Sequence, residues 1–184
     1  MNHVRLGGST MVQLYIKEQM HPGSKRLIVK SENRRDLFII EGDWGRKGNI
    51  IQLYTINGTR LIKVKQQTLS IFPKFKLFIN DQPMGFIKKK PRLFREPYYD
   101  VTKFGWRASG NYRKQEYTVK CKRQLIMSVD KAVTSFGDFY SLDIVDPSHA
   151  ALCCILAVII DHFSINKQSH KKHEDQQQIL QRQC

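Results

Sequence analysis

Short runs of alternating apolar and polar residues follow one another along most of the chain, separated by turn-forming residues. "VQLYIKEQM" (12–20) precedes "KRLIVK" (25–30). "DLFIIEGDW" (36–44) leads to "NIIQLYTI" (49–56), then Asn57-Gly58, then "TRLIKVKQQTL" (59–69). "KFKLFI" (74–79) ends at Asn80-Asp81-Gln82-Pro83, and "MGFIKKK" (84–90) follows. After it come "YYDVTKF", "GWRAS", "QEYTVKCKR", "QLIMSVDKAV" and "DFYSLDIV". Strands this short and this regularly spaced predict an all-β barrel or sandwich. Asn57-Gly58 between two alternating runs is a strong hairpin signal, read here as a tight turn with φ > 0 at both positions. The period of two also sorts residues by face. Ile62 and Val64 oppose Lys63 and Lys65. Phe75, Leu77 and Ile79 oppose Lys74, Lys76 and Phe78. Tyr117, Val119 and Cys121 oppose Thr118, Lys120 and Lys122. The central lysines therefore decorate the outside of a sheet whose other face is apolar.

Two longer stretches resemble each other. "LIKVKQQTLSIFPKFKLFI" and "QLIMSVDKAVTSFGDFYSLDI" each run strand, turn, strand, so that Phe72 and Phe75 correspond to Phe136 and Phe139. The expectation is a duplicated hairpin clamped by aromatic pairs across its turn.

One segment breaks the alternation. In "HAALCCILAVIIDHF" (149–163), residues 150–160 carry no charge, amide or hydroxyl. Asp146-Pro147 ahead of it suits a helix start, Asp as cap and Pro in the first turn. A helix apolar all round is buried in a core or spans a membrane. Residues 150–160 rise only about 16 Å at ~1.5 Å each, against a bilayer core of about 30 Å. No transmembrane segment is therefore expected, and the lack of a polar face argues against a helix lying on a surface. One enclosed helix in an otherwise β protein calls for a closed barrel with room for it in the lumen.

Composition sharpens this picture. The 184 residues are 41% hydrophobic and 10% aromatic, globular values that suit one domain. The expected layout is a loose leader over 1–10, a single barrel domain over 11–163 and a polar, Gln-rich tail over 164–184. Met11, just ahead of the first strand, is an alternative start. Lys and Arg number 31 against 16 Asp and Glu, a net of +15. The excess is concentrated: residues 60–123 hold 17 basic and 4 acidic side chains. A basic middle predicts affinity for something anionic, or else a solvated surface that aids solubility. Of the four cysteines, Cys153 and Cys154 sit in the apolar run as small hydrophobes, and no CxxC occurs. This cysteine usage and the absence of an apolar core in "MNHVRLGGST" point to a cytoplasmic protein without a signal peptide.

The strand series "GNIIQLYTINGTRLIKVKQQTLSIFPKFKLFI", "GWRASGNYRKQEYTV" and "SFGDFYSLDI", with the terminal "ALCCILAVIIDHF", resembles the tubby C-terminal-like superfamily, and within it the LURP-one-related family. The likeness covers about residues 11–163. It implies a mainly β fold: a closed antiparallel barrel of about 12 strands around one central hydrophobic C-terminal helix. Tubby proteins bind phosphoinositide headgroups and phospholipid scramblases are relatives, so the resemblance implies lipid headgroups as a ligand class. The chain lacks the scramblase-type palmitoylated cysteine cluster, and no tubby pocket residue can be matched to it.

Candidate chemistry is sparse. Gly42, Gly45 and Gly48 in "EGDWGRKGN" lead into a strand and not a helix, so they read as a hairpin connection and not a phosphate loop. His170 and His173, with Glu174 and Asp175, lack a full metal-ligand set. His149 and Cys153 stand four apart on the enclosed helix, where packing is the expected role. No catalytic residue, metal or cofactor is expected. The binding candidate is "FIKKKPRLFR" (86–95): Lys88, Lys89, Lys90, Arg92 and Arg95 interleaved with Phe86, Leu93 and Phe94. Such a cluster fits anionic phospholipids at a membrane surface, with the protein peripheral to it. Three other readings stay open: a nucleic-acid backbone, an exposed edge strand kept soluble by lysines, and a structural or protein-partner module.

Overall fold

The computed structural model describes residues 11–21, 24–42, 48–134 and 137–165. Twelve strands follow in chain order: β1 (Val12–His21), β2 (Ser24–Ser31), β3 (Asp36–Gly42), β4 (Ile50–Thr55), β5 (Arg60–Gln66), β6 (Lys74–Ile79), β7 (Gln82–Arg92), β8 (Arg95–Val101), β9 (Trp106–Asn111), β10 (Glu116–Cys121), β11 (Gln124–Thr134) and β12 (Gly137–Ile144). Each pairs antiparallel with the next, and β1 pairs with β12, so the sheet closes into a barrel. A turn of 3-10 helix (Pro147–His149) leads into α1 (Ala150–Ile165). This is the expected mainly β barrel with one C-terminal helix. The helix runs two residues into the stretch assigned to the tail. The leader, the rest of the tail with His170, His173, Glu174 and Asp175, and Gly45 and Phe136 lie outside the described residues.

The enclosure of α1 follows from its composition. Residues 152–160 are all buried, on every side of the helix. The inward residue of each strand packs onto it: Leu14, Val29, Ile40, Leu53, Val64, Leu77, Ile87, Val101, Ala108, Val119, Val129 and Leu142 all belong to one core. By composition and length Pro147–Ser164 passes as a membrane crossing. The barrel wall, however, supplies the apolar surroundings that a helix without a polar stripe requires. Asp146 caps the entry as expected, its carboxylate accepting from Ser148 N at 2.9 Å, with Pro147 in the first turn.

Because successive strands alternate in direction, the connections fall at two ends. The end where α1 enters carries residues 32–35, 56–59, 80–81, 102–105 and 122–123; there His149 packs edge-on against Trp106, ring centroids 4.9 Å apart. The opposite end carries the loops 67–73, 93–94 and 112–115. There Phe163 meets Phe75 at 4.7 Å, and the hydroxyls of Tyr99 and Ser164 are 3.0 Å apart. Tyr99, Tyr112 and Tyr117 stack in series at 5.5 and 5.3 Å and fill this mouth of the lumen. Burial pushes the Tyr99 hydroxyl up to about 12.

Two turns differ from the simplest reading. Around Asn57-Gly58 only Gly58 takes a positive φ, and the turn spans Thr55 to Thr59 through Gly58 N to Thr55 O and Thr55 N to Thr59 O, each 2.9 Å. The tight turn with φ > 0 at both positions falls instead at Asn80-Asp81, flanked by the pair Ile79 and Gln82. The clamping role given to Phe72 is not found. That ring is exposed, while Phe75 points inward onto the helix. Phe139 is in β12, with its side chain outside the described set.

An Asp at Ile155 or Leu156 places an unpaired charge inside the lumen. We expect either variant to lose its cooperative thermal transition in circular dichroism; a soluble, cooperatively melting variant contradicts the enclosed helix. The milder Leu156→Ala should cost about 2–5 kcal/mol, a fall in Tm of roughly 4–20 °C for a chain of this size.

Candidate functional site

Cations are the commonest outward residues of β5 to β10, and the strand register lines them up. Lys65 faces Lys76. Lys74 faces Lys88, Lys88 faces Asp100, Asp100 faces Arg107 and Arg107 faces Lys120. The result is a belt across six neighbouring strands in which Asp100 is the single carboxylate. Asp100 lies 3.4 Å from Arg107 Nε. Among the described residues, no carboxylate forms an ion pair with Lys63, Lys65, Lys74, Lys76, Lys88, Lys90 or Lys120.

Aromatic rings sit between these cations. Lys74 Nζ lies 4.4 Å and Lys88 Nζ 5.4 Å from the Phe86 ring centre. Lys76 is 5.1 Å and Lys63 6.0 Å from that of Phe78. The Arg92 and Arg107 guanidiniums are each 4.5 Å from that of Tyr98. Such contacts contribute about 0.5–1 kcal/mol at exposed sites, and they hold the ammonium groups at fixed places. On the opposite wall, from β11 round to β3, the described cations find acidic partners. There Gln13 donates to Asp143 at 2.8 Å, Arg26 Nε lies 3.4 Å from Glu41, and Lys30 pairs with Asp36. The barrel is thus electrostatically two-sided.

The nominated residues divide. Lys88 and Lys90 are on the outer wall. Arg92 and Arg95 face each other across the β7–β8 hairpin, at the barrel end away from the helix entry. Lys89 departs from the expectation of one outer cluster. Ile87 is fully buried and Lys89 follows it with the same parity, so Lys89 faces inward opposite the buried Tyr99, its Nζ 5.6 Å from that ring centre. β7 is also paired on both sides, with β6 and β8. The edge-strand reading of its lysines is therefore overturned, because a closed barrel has no edge. Sequence reasoning left out Lys63, Lys65, Lys74, Lys76, Arg107 and Lys120 as site residues, and Tyr98 altogether. Their alternation was visible; their alignment into one belt required the register.

Beside the belt, Asp100, Thr102, Arg107, Lys120 and Lys122 line a cavity of about 470 Å³ above the buried Trp106. Nucleophilic chemistry finds no support at His149 and Cys153: burial pushes the Cys153 thiol up to about 12, and that of Cys154 higher than its ordinary value. Gly42 ends β3 and Gly48 adopts a left-handed φ of 84° just before β4, the geometry of a hairpin connection. Among the described residues, no group of three or more His, Cys, Asp or Glu is placed to hold a metal ion.

A family model described as LURP-one-related matches residues 12–161. The chain is also similar to the uncharacterized protein YxjI of Bacillus subtilis (strain 168), 23% identical over 151 residues that cover 82% of this chain and 93% of that protein. No solved structure matches the chain.

Like charges directly opposite each other across strands destabilise a sheet, by a few tenths of a kcal/mol to about 1 kcal/mol per pair. Lys65 and Lys76 form such a pair. Lys65→Glu should therefore raise Tm by roughly 1–3 °C. Added salt should raise the Tm of the unaltered protein, since it screens this repulsion. Differential scanning fluorimetry checks both; a lower Tm for Lys65→Glu contradicts the repulsive belt.

Proposed function

We propose, for a chain that belongs to the LURP-one-related family, that the β5–β10 wall is an electrostatic docking surface for anionic phospholipid membranes. The observation that carries this reading is the belt of cations held between Phe78, Phe86 and Tyr98, in which, among the described residues, only Arg107 has a carboxylate partner. On this reading the protein is a binding module and not an enzyme, and works as a peripheral protein at the cytoplasmic face of a membrane. Each basic residue near an anionic bilayer contributes about 1 kcal/mol. Several acting together suffice for reversible recruitment, and bound headgroups would relieve the repulsion between the facing lysines.

A nucleic-acid ligand is less well supported. Single-stranded binding uses open ring faces on which bases stack, and here each of the three rings is already approached by two cations.

Co-sedimentation at low salt, with phosphatidylcholine vesicles and with vesicles that also carry phosphatidylserine, tests the proposal. The protein should pellet only with the anionic vesicles, and the Lys74→Glu/Lys88→Glu double variant should bind at least tenfold more weakly, as expected from about 1 kcal/mol per contact. Equal binding to both vesicle types, or binding to neither, sinks the proposal. A gel shift with oligonucleotides at affinities above those for the vesicles would favour the nucleic-acid reading.

A further inference from the structure

Eight large apolar side chains are exposed among the described residues, and five of them share one region: Leu69, Ile71 and Phe72 in the β5–β6 loop, and Leu93 and Phe94 at the tip of the β7–β8 hairpin. Leu69 is fully exposed, Phe94 is 95% exposed and Ile71 is 92% exposed. Both loops lie at the barrel end away from the helix entry, on neighbouring strands. Lys89 N donates to Pro73 O at 2.9 Å, which fastens the end of the first loop to β7 just before its tip.

The backbone adds a separate observation. Phe94 has φ of 57°, in the left-handed region where a bulky side chain is strained. The hairpin therefore carries a strained backbone and an exposed phenyl ring at the same residue. Five other described non-glycine residues take a positive φ at turns, and all of them are polar or charged; Phe94 alone combines that backbone with a large apolar side chain.

We infer that these two loops are insertion elements that dip into the interfacial region of an anionic phospholipid bilayer, with the β7–β8 hairpin leading. The inference rests on the membrane reading above and adds to it an orientation and an apolar contact. Charge complementarity selects this occupant. Lys90, Arg92, Arg95, Arg113 and Lys114 stand at the same barrel end, with Glu96, Glu116 and Asp161 as acidic residues there, the last accepting from Gln115. Cations at headgroup level above apolar tips are the chemistry of an interfacial anchor. A second copy of the chain is a poor occupant, because it would bring two basic ends together. The wall makes the long-range, salt-sensitive approach, and the tips give the bound state its resistance to salt.

The Phe94→Trp variant reads the insertion directly. With phosphatidylserine-containing vesicles, its fluorescence, taken as the difference from the unaltered protein, should shift to the blue and be quenched by lipids brominated on their acyl chains. Leu93→Ala/Phe94→Gly should weaken binding to the same vesicles at least tenfold at physiological salt. Its Tm should not fall, because glycine accepts the left-handed backbone without strain. If the unaltered protein binds anionic vesicles but the introduced indole is not quenched and the double variant binds equally well, insertion is overturned while the wall reading stands. If the unaltered protein binds no vesicles, both fall. A dimer in sedimentation velocity without lipid, lost in the double variant, also overturns insertion and assigns the tips to self-association.

Discussion

Residues 152–160 of α1 are apolar on every side of the helix, and the rest of the fold is arranged to keep water from them. A helix with one apolar stripe would need one packed face. This helix needs a tube, and the twelve-stranded meander provides it with one inward-facing set of residues per strand. The lumen is consequently full. Core apolar groups and two thiols raised well above their ordinary range occupy it, and the tyrosine stack closes one mouth. The two sides of the barrel are distinguished on its exterior.

There the two walls differ in kind. From β11 round to β3, carboxylates and amides answer the cations, which is how a solvated surface is kept neutral. From β5 to β10 lysine faces lysine, and aromatic rings, with few carboxylates, fill the spaces between them. Such an arrangement works against stability in isolation, and an anionic surface laid against it removes the penalty. The same wall ends in the two apolar loops, so one side and one end of the barrel together present charge and then hydrophobic tips.

Much of this was legible from the chain. Short β-like runs between turn signals matched the twelve strands, and the helix was recognised because it lacked any polar face. The family resemblance agreed with the barrel that the length and polarity of that helix already required. The binding face was only partly legible. Three consecutive lysines read as one charged patch, although alternation after the buried Ile87 turns Lys89 inward. The belt depends on which residues stand opposite each other, and bulges shift that register between Lys76 and Phe78 and between Lys90 and Arg92. The left-handed Phe94 left no trace in the sequence, because nothing about phenylalanine announces a positive φ.

Native-state hydrogen exchange tests most directly the claim that the helix is a permanently enclosed core and the outer wall is the working surface. Amides deep in a core exchange only through global unfolding, whereas mobile elements exchange through local opening. The account predicts that residues 152–160 exchange at the global-unfolding limit, and that anionic vesicles leave this unchanged while slowing exchange in β7 and β8. Exchange of the helix by local opening, or loss of its protection when vesicles are added, would contradict the account and place the helix at the membrane in place of the wall.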